Sequence, residues 1–261
     1  MKVTVSAPGK ITLLGEHAVV YGKPALVSAI DKRLYVSMEE RTDSAIKVSA
    51  LDLHIPGLIL TFKEGSSEYL IETDYDKIVD AMGYVRKAME ITSRHLASKT
   101  GANVTIRSEM PVGAGLGTSA AIAVGTIAAY AQLLGHELGT DEIAHLGHLT
   151  ELEVQGAASP MDTAISTLGG TIFIRPTSNK PQIEKLKLQA PLPSVVGYTE
   201  REAKTSDLLG RVRALRDAAP KVVDLVVEAI GEVVEEGKAA LAKADLEQMG
   251  RLMNINHGLL E

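Results

Sequence analysis

Between Pro111 and Ala121 the sequence reads PVGAGLGTSAA, with glycine at 113, 115 and 117 and an alanine-rich run directly after. Giving up three side chains in so short a space frees the backbone for positive φ and for close approach to another group. The alternating ANVTIRSEM before the loop predicts a strand, and the apolar AAIAVGTIAAYAQLL after it predicts a helix that Thr118 and Ser119 begin. Strand, glycine loop and helix in that order make an anion site, because loop N–H groups and the open donors of a helix start face one place that the helix dipole also favours for negative charge. A turn of small residues that lets the helix pack closely is the competing reading, and the pattern alone leaves both open. No Lys-Ser/Thr pair follows the glycines as in a Walker A loop, and the spacing is not that of the dinucleotide fingerprint.

Several further residues bear on that choice. Ser119 could cap the helix or ligate a magnesium ion brought in with a nucleotide. Glu151 lies in HLGHLTELEVQG, where His145 and His148 share its spacing of three; without a third nitrogen or sulfur ligand the histidines read as packed or solvated, not as metal ligands. Asp162 follows GAASPM and is expected on a loop against the core, either carrying chemistry or bonding its own turn. Lys10 is the only charge between Lys2 and Glu16, so on an apolar strand it either faces water or is held by a carboxylate.

The rest of the chain supplies a setting. KVTVSA, KITLLG, PALVSAI and LYVSMEER predict short strands, and Asp76 to Lys99 predicts a helix. DEIAHLGHLTELEVQG predicts another, capped by Thr140 and closed by Gly156, and DTAISTLGGTIFIRP reads as a strand pair turning at Gly169 and Gly170. After a Pro- and Lys-rich stretch at 176–193 come a strand in SVVGYTE and helices at Ser206 to Ala218 and Lys221 to Ala242. Segregated strands and helices indicate an α+β fold, with domains expected at 1–180 and 181–261. With 27 basic and 33 acidic residues the net charge is -6, which argues against a nucleic-acid-binding surface. The chain has no cysteine, which excludes disulfides and thiolate chemistry and fits a cytoplasmic location. The N-terminal MKVTVSAPGK is patterned as a strand and not as a signal peptide, and the most apolar helix, Ala120 to Leu134, is about 15 residues where a membrane span needs roughly 20.

SAPGKITLLGEHAVVYGKPAL together with PVGAGLGTSAA resembles the GHMP kinase superfamily, and GEHAVVYGKPA in that context is similar to its archaeal branch that phosphorylates mevalonate. The resemblance continues through ELEVQGAASPMDTAISTLGG and AKTSDLLGRVR to MNINHGLL. It implies a ribosomal protein S5 domain 2-like N-terminal domain that binds ATP and a ferredoxin-like C-terminal domain. The family pattern runs on past NHGLL into a further helix and a glycine-rich segment, so the resemblance also implies a shortened second domain here. Thr118 stands where a serine is usual in the loop.

Roles follow from the same resemblance. Pro111, Gly113, Ala114, Gly115, Leu116, Gly117, Thr118 and Ser119 match the loop around the ATP phosphates, and Ser119 with Glu151 matches the magnesium ligands. Asp162 matches the catalytic aspartate and Lys10 the lysine paired with it. Glu16, His17 and Thr205 match residues on the acceptor side. The implied reaction is transfer of a phosphoryl group from ATP, with Mg2+, to the 5-hydroxyl of mevalonate. Phosphomevalonate, homoserine or a sugar as acceptor, and a non-catalytic nucleotide-binding role, are the alternatives. No nucleic-acid or membrane partner is implied, and a homodimer is compatible with the family.

Overall fold

In a computed structural model, the structure describes residues 1–43, 45–50, 59–62, 69–72, 75–111, 113–156, 158–177, 180–189, 192–197 and 205–261. The fold is α+β. The chain groups into two units, and each is discontinuous in sequence: residues 1–9, 30–158 and 162–168 form the first, and 10–29, 159–161 and 169–261 the second.

In the first unit the four short strands predicted from the sequence merge into two long ones. KVTVSA and KITLLG form one strand, β1 (Lys2–Leu14), and PALVSAI and LYVSMEER form another, β2 (Ala25–Arg41). The two strands pair, and both run on into the second unit's residues. Strands β3 (Ile46–Ala50), β4 (Ile59–Phe62), β5 (Tyr69–Glu72) and β6 (Gly101–Ser108) follow. β2 pairs antiparallel with β6 from Leu34↔Ser108 to Arg41↔Gly101, β6 pairs parallel with β3, and β4 pairs antiparallel with β5. Leu34, Val36 and Met38 on β2, and Ala102, Val104 and Ile106 on β6, alternate into the core as period-2 patterning requires. Against them pack α1 (Tyr75–Leu96) through Val85 and Met89, and α2 (Thr118–Leu133). α2 is buried nearly all round, which explains why its sequence shows no polar face.

Helix α3 (Thr140–Gln155) closes on Gly156 as expected, in a left-handed conformation that donates to the Leu152 carbonyl. Its N-cap is Gly139 and carries no side-chain bond, so Thr140 opens the helix without capping it. The largest departure lies at DTAISTLGG. These residues belong not to a strand pair but to helix α4 (Pro160–Leu168), followed by β7 (Thr171–Arg175). Pro160 supplies a first helical position with φ already set, Ser159 Oγ accepts from the Met161 N–H at 3.2 Å, and Met161, Ala164 and Ile165 are buried at helical spacing. Those cues outweigh the β-branched threonines and isoleucine.

In the second unit, the start of β2 pairs antiparallel with β7 from Ala25↔Ile174 to Ser28↔Thr171, and β7 pairs antiparallel with β8 (Gln182–Leu186), a strand inside the Pro- and Lys-rich stretch at 176–193. Residues 194–197 form no strand, and 198–200 lie outside the described residues. Three helices complete this unit: α5 (Thr205–Ala218), α6 (Pro220–Ala242) and α7 (Leu246–Leu260). α7 had no counterpart in the sequence reading; Asp245 caps it by accepting from the Gln248 N–H at 2.9 Å. Leu13, Leu14, Leu26 and Phe173 pack against Val233, Val234, Leu241, Met249 and Leu252. Helix α6 reaches this layer at Gly237, where a Cβ would lie 2.3 Å from Leu14 Cδ1.

Candidate phosphate loop and acceptor turn

The glycine loop is held at its entrance by β6 and β2. The Ser108 hydroxyl donates to the Met110 carbonyl at 2.8 Å and accepts from the Met110 N–H at 3.1 Å. Arg33 braces the same exit: its backbone N–H donates to Glu109 Oε2 at 2.9 Å, and its guanidinium donates to Ser6 Oγ and the Ser6 carbonyl. Gly113, Gly115 and Gly117 then take φ of 80°, 76° and 73°. Any residue with a Cβ would cost about 1–2 kcal/mol at each of these left-handed positions. Leu116 between them packs on the core, and Thr118 Oγ1 closes the loop by donating to the Pro111 carbonyl at 3.3 Å. Gly9 of β1 passes so near that a Cβ there would sit 3.0 Å from the Leu116 carbonyl oxygen.

α2 begins at the end of this loop with Gly117 as its N-cap, no side-chain cap bond and no acidic residue in the first turn. Ser119 therefore does not cap the helix. It occupies the second helical position and is partly exposed, while the first-turn donors and the positive end of the dipole are left for a ligand. A turn of small residues for close packing does not account for Gly113 and Gly115, which are exposed.

Glu151 is brought up from α3. One turn earlier, a Cβ on Gly147 would lie 2.8 Å from Val124 Cγ1 of α2 and 3.2 Å from Thr163 Cγ2 of α4, so three helices meet there at glycine distance. Glu151 is only 4% exposed. Asp162 lies in the first turn of α4, not on a loop, with Oδ1 buried; an acid at that end of a helix is favoured by the dipole. Thr126 Oγ1 on α2 and Ser166 Oγ on α4 are buried without a hydrogen-bond partner among the described residues.

Magnesium is the metal the resemblance implies. Ser119 and Glu151 are hard oxygen donors, and among the described residues no group of three or more His, Asp or Glu is placed to hold a metal. A pair of protein oxygens fits magnesium, which keeps waters and takes its remaining ligands from phosphates. Burial, and after it the neighbouring His145, holds the pKa of His148 below the usual 6.5.

Lys10, Glu16, His17 and Thr205 belong to the second unit. Lys10 does not face water. It is 7% exposed, and its ammonium reaches Thr12 Oγ1 at 3.4 Å. Glu16 and His17 sit on a tight turn between β1 and a short 3-10 helix, Ala18–Tyr21. Thr205 opens α5, and its side chain lies outside the described residues. The sequence reading missed Gly9, Ser108 and Arg33 around the loop, and Asn256, whose Oδ1 accepts from the Gly15 N–H at 3.1 Å. Gly9 sits inside the quoted APGK, but nothing in that string says what the glycine must avoid.

The GHMP kinases N terminal domain matches residues 83–170, which include the glycine loop, Glu151 and Asp162. The mevalonate kinase of Thermococcus onnurineus is 47% identical, with 100% of this chain and 78% of that protein covered. Among solved structures, the Methanococcus jannaschii mevalonate kinase superposes with a TM-score of 0.71 at 28% identity, covering 100% of this chain and 78% of that one. The L. major mevalonate kinase in complex with R-mevalonate shares the fold, with a TM-score of 0.77 at 23% identity over 98% of this chain and 74% of its own. With near-half identity to such a relative along its whole length, the chain belongs to the mevalonate kinase family of the GHMP kinases.

Proposed function

We propose that the chain transfers the γ-phosphoryl group of ATP to the 5-hydroxyl of (R)-mevalonate, giving 5-phosphomevalonate and ADP for isoprenoid synthesis in the cytoplasm. The kinase assignment rests on the family. The observation that carries the chemistry is the loop in which Gly113, Gly115 and Gly117 all take positive φ and deliver the chain to an α2 start without a side-chain cap. Phosphoryl transfer asks mainly for positioning and charge neutralisation, which such a loop supplies.

Loop N–H groups and the first turn of α2 hold the triphosphate. Ser119 and Glu151 would hold magnesium, which when bound neutralises phosphate charge. Asp162 orients the attacking hydroxyl and takes its proton as the new O–P bond forms and the bond to the ADP oxygen breaks. Lys10 stabilises the charge on the transferring group. Glu16, His17 and Thr205 bound the acceptor.

ADP release with magnesium-ATP is measured for mevalonate, phosphomevalonate, homoserine and galactose in parallel. Turnover with mevalonate alone supports the reading. Turnover with another acceptor replaces the substrate, and ATP binding with no turnover favours a nucleotide-binding role.

A further inference from the structure

The turn that carries Glu16 and His17 has an unusual backbone. The Ala18 N–H donates to the Glu16 carbonyl at 2.7 Å, closing a three-residue ring around His17, whose φ is 62° and ψ -47°. This is a γ-turn of the positive-φ kind, rare and strained for a residue with a side chain, and it persists only where the surroundings over-determine it.

Both ends of the turn are fixed. On one side, Ala18 packs against Val223, Val227 and Ile230 of α6, and the Lys23 N–H donates to the Ala18 carbonyl at 3.1 Å. On the other, Gly15 takes φ of 92° in a place where a Cβ would lie 2.6 Å from the Pro24 carbonyl oxygen. The Gly15 carbonyl accepts from the Val19 N–H at 3.1 Å. The Gly15 N–H is buried and needs an acceptor, and its acceptor comes from 241 residues away: Oδ1 of Asn256, on α7 and 6% exposed. His17 in turn keeps Nδ1 buried with no hydrogen-bond partner among the described residues. The turn thus holds an imidazole nitrogen that the rest of the described protein does not use.

We propose that Asn256 is a positioning residue for the acceptor: by accepting from Gly15 N–H it keeps the Gly15–His17 turn in its strained form and so presents His17 to mevalonate. The inference rests on the acceptor-side role of His17 given above. Asn256 itself touches neither substrate nor proton in this account.

The test is calorimetric binding of (R)-mevalonate and, separately, of ADP to the full chain, with the exchange rate of the Gly15 amide followed by NMR. Asn256→Leu, which keeps the shape and removes the acceptor, is expected to weaken mevalonate binding roughly tenfold, leave ADP binding unchanged and speed Gly15 exchange. Asn256→Asp, which keeps Oδ1, restores both values, and Asn256→Ser repeats the loss if the leucine variant fails to fold. In a His17→Ala background, Asn256→Leu adds almost nothing, because its effect passes through His17. Unchanged mevalonate binding in Asn256→Leu, or an equal loss with and without His17, overturns the proposal. Wild-type chain that does not bind mevalonate at all overturns the substrate reading beneath it instead.

Discussion

A methyl group on Gly9 would sit 3.0 Å from the carbonyl oxygen of Leu116 and 2.1 Å from Met110 Sδ. The thioether is flexible and can swing away, but the carbonyl is the backbone of the glycine loop. Gly9→Ala is therefore expected to displace the loop and weaken ATP binding roughly tenfold while mevalonate binding is kept, since a contact tighter than van der Waals distance must be relieved somewhere. Equal ATP dissociation constants for the two proteins would show that the loop does not depend on this approach.

Gly147 plays the corresponding part among the helices. A Cβ there meets Val124 Cγ1 at 2.8 Å and Thr163 Cγ2 at 3.2 Å, both on short branched side chains that cannot rotate out of the way. Gly147→Ala should cost about 1–3 kcal/mol in urea unfolding despite the better helix propensity of alanine. A stabilised variant would mean the three helices have room to part.

Glu151→Gln keeps the size of the side chain and removes its charge. If Glu151 and Ser119 share the magnesium, the metal concentration for half-maximal turnover rises by roughly tenfold or more. An unshifted magnesium titration rejects the ligand role.

Thr126 is 0% exposed, and its Oγ1 has no hydrogen-bond partner among the described residues. Thr126→Val replaces the hydroxyl by a methyl of the same shape, so it is expected to stabilise the protein by about 1 kcal/mol, read as a higher denaturation midpoint. A loss of stability would reveal an ordered water bound to that oxygen.

The pH dependence of stability has a definite sign at His148. Burial, and then His145, lower its pKa from 6.5, so the unfolded chain takes up this proton more readily than the folded one. Its contribution is whole above 6.5 and is lost as pH falls from there toward the depressed folded value. His148→Gln should flatten the acid side of a stability profile taken from about pH 5 to about pH 8. The same slope in both proteins would assign the effect to other groups.

What the sequence made legible follows physical range. The shape of the glycine loop could be read because everything it needs, three glycines and an adjoining helix, lies within a few residues. α4 could not, since Thr163, Ile165 and Thr167 carry strand propensity while the helix is decided by Ser159, Pro160 and the packing of Met161, Ala164 and Ile165. Lys10 could be singled out as a lone charge, but its burial could not be chosen from one strand. Asn256 was invisible for the opposite reason from the loop: its partner is 241 residues distant, and an asparagine in a mixed helix looks like any surface residue until the fold closes.

The interleaving of the two units has a further consequence for the gene. Residues 10–29 lie between stretches of the first unit yet belong with 169–261, and β1 and β2 each donate one end to either unit. No single cut in the sequence releases either unit whole. Recombination at a single crossover cannot exchange either unit as a cassette, because its separate segments would have to move together.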